Sequence, residues 1–272
     1  MTAPLIHPTA IVSPLAQLDS SVSVGPFCSV GDHVQIDANT SLAAHVIVEG
    51  HTRIGRDNRF NANAVIGGPP QDKKYAGEPT RLVIGDRNTF RESVTVNCGT
   101  MQDAGVTTIG SDNWVMAYVH VAHDCIIGDQ TILANCTQLA GHVQIGDWAI
   151  LGGFTGIHQF CKVGAHAMAG VGSVVLHDIP PFVMVSGNSA SAHGINTEGL
   201  KRRGFNAQAI SQLRTAYKTI YKSGLSLEQA RLSLVEQINS LAQSDDAAQV
   251  QASQSVAQLL EFLAKVTRGI VR

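Results

Sequence analysis

The sequence predicts a parallel β-helix built from hexapeptide repeats, followed by a small α-helical domain. Three observations predict it. From Ile6 the chain steps by six through Val12, Leu18, Val24, Val30, Ile36, Leu42, Val48, Ile54, Phe60 and Ile66 without one polar residue, resumes at Ile84, Phe90 and Val96, and resumes again from Ile109 to Val175. The next residue is often Gly, Asp or Asn, and the fourth after the anchor is small or β-branched, as at Ala10, Ala16, Val22, Cys28, Val34 and Thr40. Aromatic residues make up only 5% of the chain while glycine occurs 26 times, so the core must be built from small aliphatic side chains.

Each hexad then supplies one short strand and a turn, and stacked coils bury a continuous core. Three hexads complete a triangular coil, so residues eighteen apart stack at roughly 4.8 Å, the interstrand spacing. This solenoid is assigned to residues 1–190. Two interruptions, "GGPPQDKKYAGEPTRL" at 67–82 and "NCGTMQDAGVTT" at 97–108, read as loops, and loops thrown out of a regular solenoid collect on a functional face. After "HDIPPFVMVSGNSA" the period becomes helical, and residues 191–272 form the second domain. Ile210, Leu213, Tyr217, Ile220 and Tyr221 share a helix face, with Asn206 as N-cap and Gly224 as the stop. "SLEQ" at 226–229 is a capping box of Ser226 with Gln229 that opens a helix burying Ala230, Leu234, Ile238 and Leu241. A third helix follows the polar "AQSDDAAQ" and buries Val256, Leu260, Leu263 and Val266. These helices are suited to covering an exposed coil end.

Composition narrows the function. The chain is 44% hydrophobic and 15% charged with a formal net charge of −2, which lacks the basic excess of a nucleic-acid binder. No apolar run approaches the roughly 20 residues of a membrane span, and "MTAPLIHPTAIVSP" has no basic stretch followed by an apolar core. A cytoplasmic location is expected. Cys28, Cys98, Cys125, Cys136 and Cys161 form no C-x-x-C pair and are each expected to be small buried fillers.

Chemistry concentrates in "VHVAHDCIIGDQTILANCTQLAGHVQIG", residues 119–146. With Val121 pointing inward, His123 projects outward and Gly141 lies directly on the next coil; Asp124 stacks in the same way under His142. An imidazole beside a glycine N–H is the minimum equipment for acyl transfer, one base and one oxyanion donor. His120, His142 and His158 fall on nearby coils, with Gln159 adjoining. Cys125, four after its anchor, faces the core, where a thiolate is unfavourable. Zinc held by three histidines between subunits, as in hexapeptide-helix hydratases, is the competing use of such a cluster. Downstream, "NTEGLKRRGFNAQAISQLRTAYKTIYKSG" at 196–224 carries Lys201, Arg202, Arg203, Arg214, Lys218 and Lys222 with no acid after Glu198. This local positive field suits phosphate groups or an acidic partner protein. No aromatic interleaving or binding motif points to nucleic acid.

The motifs "QDKKYAGEPTR", "IGDRNTFRESVTVN", "HVAHDC", "LAGHV", "IHQFCKVGAH" and "NTEGLKRRGF", in this order over essentially the full length, resemble those of the acyl-ACP:UDP-N-acetylglucosamine O-acyltransferases, which open lipid A synthesis. The resemblance implies a cytoplasmic homotrimer of left-handed β-helices with active sites between neighbouring subunits. It implies that a 3-hydroxyacyl group passes from acyl carrier protein to the 3-hydroxyl of UDP-N-acetylglucosamine. By the same resemblance His123 is the general base, Asp124 orients its ring and Gly141 supplies the oxyanion N–H. Gln71, Asp72 and Lys74 lie against the sugar, and His120, His142, His158 and Gln159 line the cleft. Asn196, Glu198, Arg202 and Arg203 hold the nucleotide, Arg202 by its diphosphate. No metal and no dissociating cofactor are implied, because phosphopantetheine arrives on the carrier, whose acidity fits the basic tail. Two departures stand out. Asn97 and Cys98 occupy positions where the family often has a His-Arg or Asn-Arg pair, and Val171 occupies the position that limits acyl length, which predicts a shorter chain than a glycine there would admit. A sister acyltransferase acting on an amine carries a further domain ahead of its hexads, whereas the hexads here begin at Ile6.

Overall fold

The computed structural model describes residues 5–242 and 246–272. Most of its strands are two residues long, because the third residue after most anchors turns to positive φ, as at Asn39 (+59°), His142 (+63°) and Phe160 (+65°), outside the β region. Each strand pairs in parallel with the strand one coil on, Leu5 with Ser23, Ile11 with Ser29 and Gln17 with Gln35. The described strands form three sheets of 11, 9 and 8 members, the sides of a left-handed parallel β-helix.

Anchors from Val24 to Val175 are buried, and Phe60 stacks on Phe90 with ring centroids 4.7 Å apart. At the N-terminal end no described strand pairs beneath the first coil, and Ile6 is 40% exposed while Val12 and Leu18 are only half-buried. The fourth position departs from the expected small residue at Asn58, Asn88 and Asn113, all buried. Their amides form a ladder along the interior: Asn88 N and Asn113 N donate to the side-chain oxygens of Asn58 and Asn88, both at 2.9 Å, and Asn113 Nδ2 donates to Gly128 O at 3.0 Å. Turn carbonyls that point inward are satisfied by these amides, which a valine cannot do. Among the cysteines, Cys28, Cys98, Cys125 and Cys161 are buried as expected, whereas Cys136 is only half-buried. It occupies the positive-φ position (+62°), which faces outward.

The two interruptions leave the solenoid at one edge. The first lies between strands Val65–Gly68 and Arg81–Ile84, the second between Thr95–Asn97 and Val106–Ile109. Both therefore join the second sheet to the third; Thr95 pairs with Val65 below and His120 above, and the register shifts only at the loop root, between Ile66 and Gly68.

At the other end Val183–Ser186 continues the first sheet, and Ser191–Ile195 closes it by antiparallel pairing. Four helices follow: α1 (Thr197–Arg202), α2 (Ala207–Tyr221), α3 (Leu227–Leu241) and α4 (Ala247–Ala264). Asn206 caps α2 by accepting from Ala209 N at 2.8 Å, and the Ser226–Gln229 capping box opens α3. In α4 the buried face is Val256, Leu259 and Leu263; Leu260 is only partly buried and Val266 lies beyond the helix end. That helix packs on both α2 and α3, so its inward arc is wider than one stripe and turned from the single-face expectation. Residues 243–245 of the expected polar connection lie outside the described residues. The chain end returns to the solenoid, Val271 N donating to Asp178 O at 2.9 Å. No helix among the described residues is long and apolar enough to cross a membrane.

Candidate active site

His123 and Gly141 occupy the same turn on consecutive coils, on the edge from which both loops emerge. Their register follows from the pairing of His120 with Gln138, and His142 N donates to His123 O at 3.0 Å to tie the turns together. A Cβ at position 141 would stand 2.5 Å from His123 Cε1 and 2.7 Å from Nε2. Glycine is what allows the imidazole to lie against this backbone. Both residues line one cavity of about 500 Å³, shared with Gln71, His120 and His158 and floored by Ile157, Val174 and Val175. Among the described residues no acceptor takes the Gly141 N–H.

The orientation of the ring comes from Asp124. His123 Nδ1 lies 2.9 Å from Asp124 Oδ2, and the carboxylate also accepts from Thr100 N at 2.8 Å and Thr100 Oγ1 at 2.6 Å. Asp124 is buried at φ +59°, and its own N–H donates to Thr107 Oγ1 at 2.9 Å. With Nδ1–H directed at a carboxylate, the tautomer assigned to His123 leaves Nε2 as an open acceptor facing Gly141. His142 stands edge-on to His123, ring centroids 5.2 Å apart, with its Nδ1 2.8 Å from Asp103 Oδ2 and its face stacked on Phe160 at 4.4 Å. His120 Nδ1 contacts Thr95 Oγ1 at 2.8 Å; burial, and then the neighbouring His123, lower its pKa and favour the neutral ring. His158 Nδ1 donates to Gln159 O at 3.1 Å. Cys125 lies in the core, where burial pushes its thiol up to about 12, so no thiolate is at hand near neutral pH.

Other expected residues lie apart. Asp72 accepts from Lys74 N at 3.0 Å within the first loop, and Lys74 itself is exposed. Gln159 is exposed and outside the cavity lining, as is Val171, at 76% exposure. Asn196, Glu198, Arg202 and Arg203 belong to α1 and its caps and do not line the cavity within one chain. Glu198 pairs with Lys201 at 2.9 Å, and Arg202 is exposed. Asn97 and Cys98 turn inward: Asn97 Nδ2 donates to Pro69 O at 3.0 Å and Cys98 Sγ to Gly67 O at 3.3 Å, joining the roots of the two loops.

Thr95, Thr100, Thr107 and Asp103 were not foreseen. Thr100 and Asp103 come from the 97–108 loop, and placing that loop on a functional face was the only available signal. His123, Asp124 and His142 are also the one described group whose donor atoms all come within 4.8 Å. In both histidines Nδ1 meets a carboxylate and Nε2 is left open, an arrangement that serves a general base and a metal ligand alike.

The comparisons with known proteins match this layout. A family model described as UDP N-acetylglucosamine O-acyltransferase, domain 2, matches residues 178–271, and a bacterial transferase hexapeptide model matches residues 107–141. The acyl-[acyl-carrier-protein]–UDP-N-acetylglucosamine O-acyltransferases of Herminiimonas arsenicoxydans and Janthinobacterium sp. (strain Marseille) are 59% and 57% identical, each match covering 98% of this chain and 99% of the relative. The crystal structure of UDP-N-acetylglucosamine O-acyltransferase from Moraxella catarrhalis superposes with a TM-score of 0.92 at 42% identity, covering 98% of this chain and 100% of that one. Full-length identity well above half, on a solenoid with the histidine edge in place, means that the chain belongs to the acyl-[acyl-carrier-protein]–UDP-N-acetylglucosamine O-acyltransferase family.

Proposed function

We propose that this chain transfers a 3-hydroxyacyl group from the thioester of acyl carrier protein to the 3-hydroxyl of UDP-N-acetylglucosamine, the first step of lipid A biosynthesis. One observation carries the chemistry: an imidazole pinned through Nδ1 to a buried carboxylate lies against a glycine amide in a cavity of about 500 Å³. His123 Nε2 removes the proton of the sugar hydroxyl, and the resulting oxygen nucleophile attacks the thioester carbonyl. The Gly141 N–H stabilises the tetrahedral oxyanion. The intermediate then collapses with loss of the pantetheine thiolate, which takes the proton back from the imidazolium. No acyl-enzyme forms, in keeping with the core position of Cys125.

Asp124 orients the base, while His120, His142, His158 and Gln71 border the sugar and acyl groups. Asp72, Lys74 and Gln159 reach the acceptor from the loop side. Glu198 and Arg202, on the exposed side of α1, handle the nucleotide, Arg202 at its diphosphate; Asn196 and Arg203 serve it by fixing that helix, and the basic face of α2 receives the acidic carrier. Val171 limits the acyl chain in a groove between neighbouring subunits of a homotrimer. Large apolar side chains on the solenoid surface, including Ile126 (50% exposed) and Phe154 (68% exposed), support such an assembly. Lipid A synthesis from a carrier-bound acyl group places the enzyme in the cytoplasm, with no cofactor beyond the carrier's own arm.

The test is turnover of purified protein with UDP-N-acetylglucosamine and hydroxyacyl carrier protein, with the product identified as the 3-O-acyl sugar nucleotide. His123→Ala should lower kcat by roughly 10²–10⁴; undiminished turnover would remove His123 from the reaction. A metal ion on His123, Asp124 and His142 is the rival reading, and stoichiometric zinc in active protein would favour it.

A further inference from the structure

We propose that His166 is a positioning residue that clamps helix α1 at both of its ends against the solenoid and so sets where Arg202 is presented. The proposal rests on the reading of α1 as the nucleotide-handling segment.

A six-residue helix has too few internal bonds to hold itself together, so its geometry depends on what pins its ends. At the first end the N-cap Asn196 is 4% exposed and its amide is fully directed inward. Oδ1 accepts from Gly199 N at 3.1 Å, and Nδ2 donates to the backbone carbonyl of His166 at 3.1 Å. Gly199 makes room for this arrangement, since a Cβ there would stand 2.5 Å from Asn196 Nδ2. At the second end Arg203, the C-cap, sets its guanidinium 5.2 Å above the Trp148 ring and donates from Nη1 to His166 Nδ1 at 3.2 Å. One solenoid residue therefore holds the N-cap with its carbonyl and the C-cap with its ring.

The ring itself meets three aromatic neighbours. It lies parallel to Trp148 and to Phe182, its neighbours in the same turn column, at 6.3 Å and 5.5 Å, and meets the edge of Phe205 at 5.0 Å. A guanidinium only donates, so Nδ1 must be the accepting nitrogen and the imidazole must be neutral. Burial, and then the charge of Arg203, lower the His166 pKa to about 4, in agreement with that tautomer. Arg203 is the ionised group in contact with the ring; the Asp147 carboxylate in the coil below is turned to Asp129 N at 2.8 Å. With Asn196 and Arg203 facing the solenoid, Glu198, Lys201 and Arg202 are the charged groups α1 exposes.

The experiment is steady-state kinetics for both substrates on His166→Ala, His166→Asn and Arg202→Ala, with direct binding of UDP by calorimetry. Loss of the ring should raise the KM for UDP-N-acetylglucosamine roughly tenfold and weaken UDP equally, leaving kcat and the KM for the carrier within about threefold. His166→Asn suits the φ of +61° and keeps an accepting atom near Nδ1, so it should restore most of the affinity. Should His166→Ala fail to fold, Trp148→Asn, at a position 37% exposed with φ +61°, carries the same prediction by removing the face beneath Arg203. A fall in kcat at unchanged KM, or Asn no better than Ala, overturns the positioning role. If Arg202→Ala also leaves UDP binding untouched, the nucleotide reading of α1 fails instead; if Arg202→Ala weakens UDP while the His166 and Trp148 variants do not, only the clamp is wrong.

Discussion

Adding a single methyl group at position 141 is the sharpest probe of the site. The alanine Cβ would fall 2.5 Å from His123 Cε1 and 2.7 Å from Nε2, whereas an ordinary contact needs roughly 3.5 Å. The imidazole must therefore retreat by about 1 Å or swing away, and either movement breaks its 2.9 Å contact with Asp124. The glycine is not at positive φ, so alanine introduces no backbone strain, and the obstructed atoms belong to a side chain that can move. Folding should survive, with the melting temperature within a few degrees of the parent. A misplacement of about 1 Å in a catalytic group costs on the order of 10² in rate. We therefore expect Gly141→Ala to lower kcat about a hundredfold while the KM values change little, measured with hydroxyacyl carrier protein and UDP-N-acetylglucosamine. In a His123→Ala background the same change should have almost no further effect, because the ring it displaces is already gone. Turnover close to the parent, or full additivity in the double variant, would refute the stacking of base and oxyanion donor.

Three further outcomes follow from the same geometry. Asp124→Asn should reduce kcat by about 10²–10⁴ with little change in KM, because an amide can orient the ring in the wrong tautomer; Thr100→Val, which removes one of the bonds that hold Asp124, should cost less, about tenfold. Val171→Gly should shift selectivity toward longer hydroxyacyl chains in a competition among carriers of graded length, and unchanged preference would take Val171 out of the groove. Stability should depend on pH through His166: its folded-state pKa, about 4, is lower than its ordinary 6.5, so the proton binds on unfolding. The contribution is complete above about pH 6.5 and is lost as the pH falls toward 4. On the order of 1–2 kcal/mol is expected after solvent screening at a partly exposed ring, read from chemical denaturation and abolished in His166→Asn.

The solenoid was legible because its period is local: each anchor from Ile36 to Val175 repeats the same inward step, and a six-residue spacing fixes which residues stack. The pairing of His123 with Gly141 followed from that arithmetic alone. The Asn58–Asn88–Asn113 ladder did not, since the need of inward carbonyls for a donor appears only when coils are stacked. Leu260 and Val266 were misplaced for a related reason, because one helical stripe cannot anticipate a helix packed on two neighbours.

Of the candidate site, the juxtaposition of His123, Asp124 and Gly141 could be read from the chain, and the support around them could not. Thr100 and Asp103 lie in an irregular loop with no period to follow, yet they hold Asp124 and His142. The segment "NTEGLKRRGF" shows the same division. Its charges were visible as a basic run, but that Asn196 and Arg203 turn to His166 while Arg202 stays exposed depends on contacts across 30 and more residues.

By itself the sequence determined the architecture, the edge on which the histidines gather and the kinship, because stacking at a constant step converts residue number directly into height along the axis. Tertiary structure alone decided which polar atoms meet: tautomers, clamps and buried partners depend on side chains brought together by irregular loops and a separate helical domain, where no repeating step relates position in the chain to position in space.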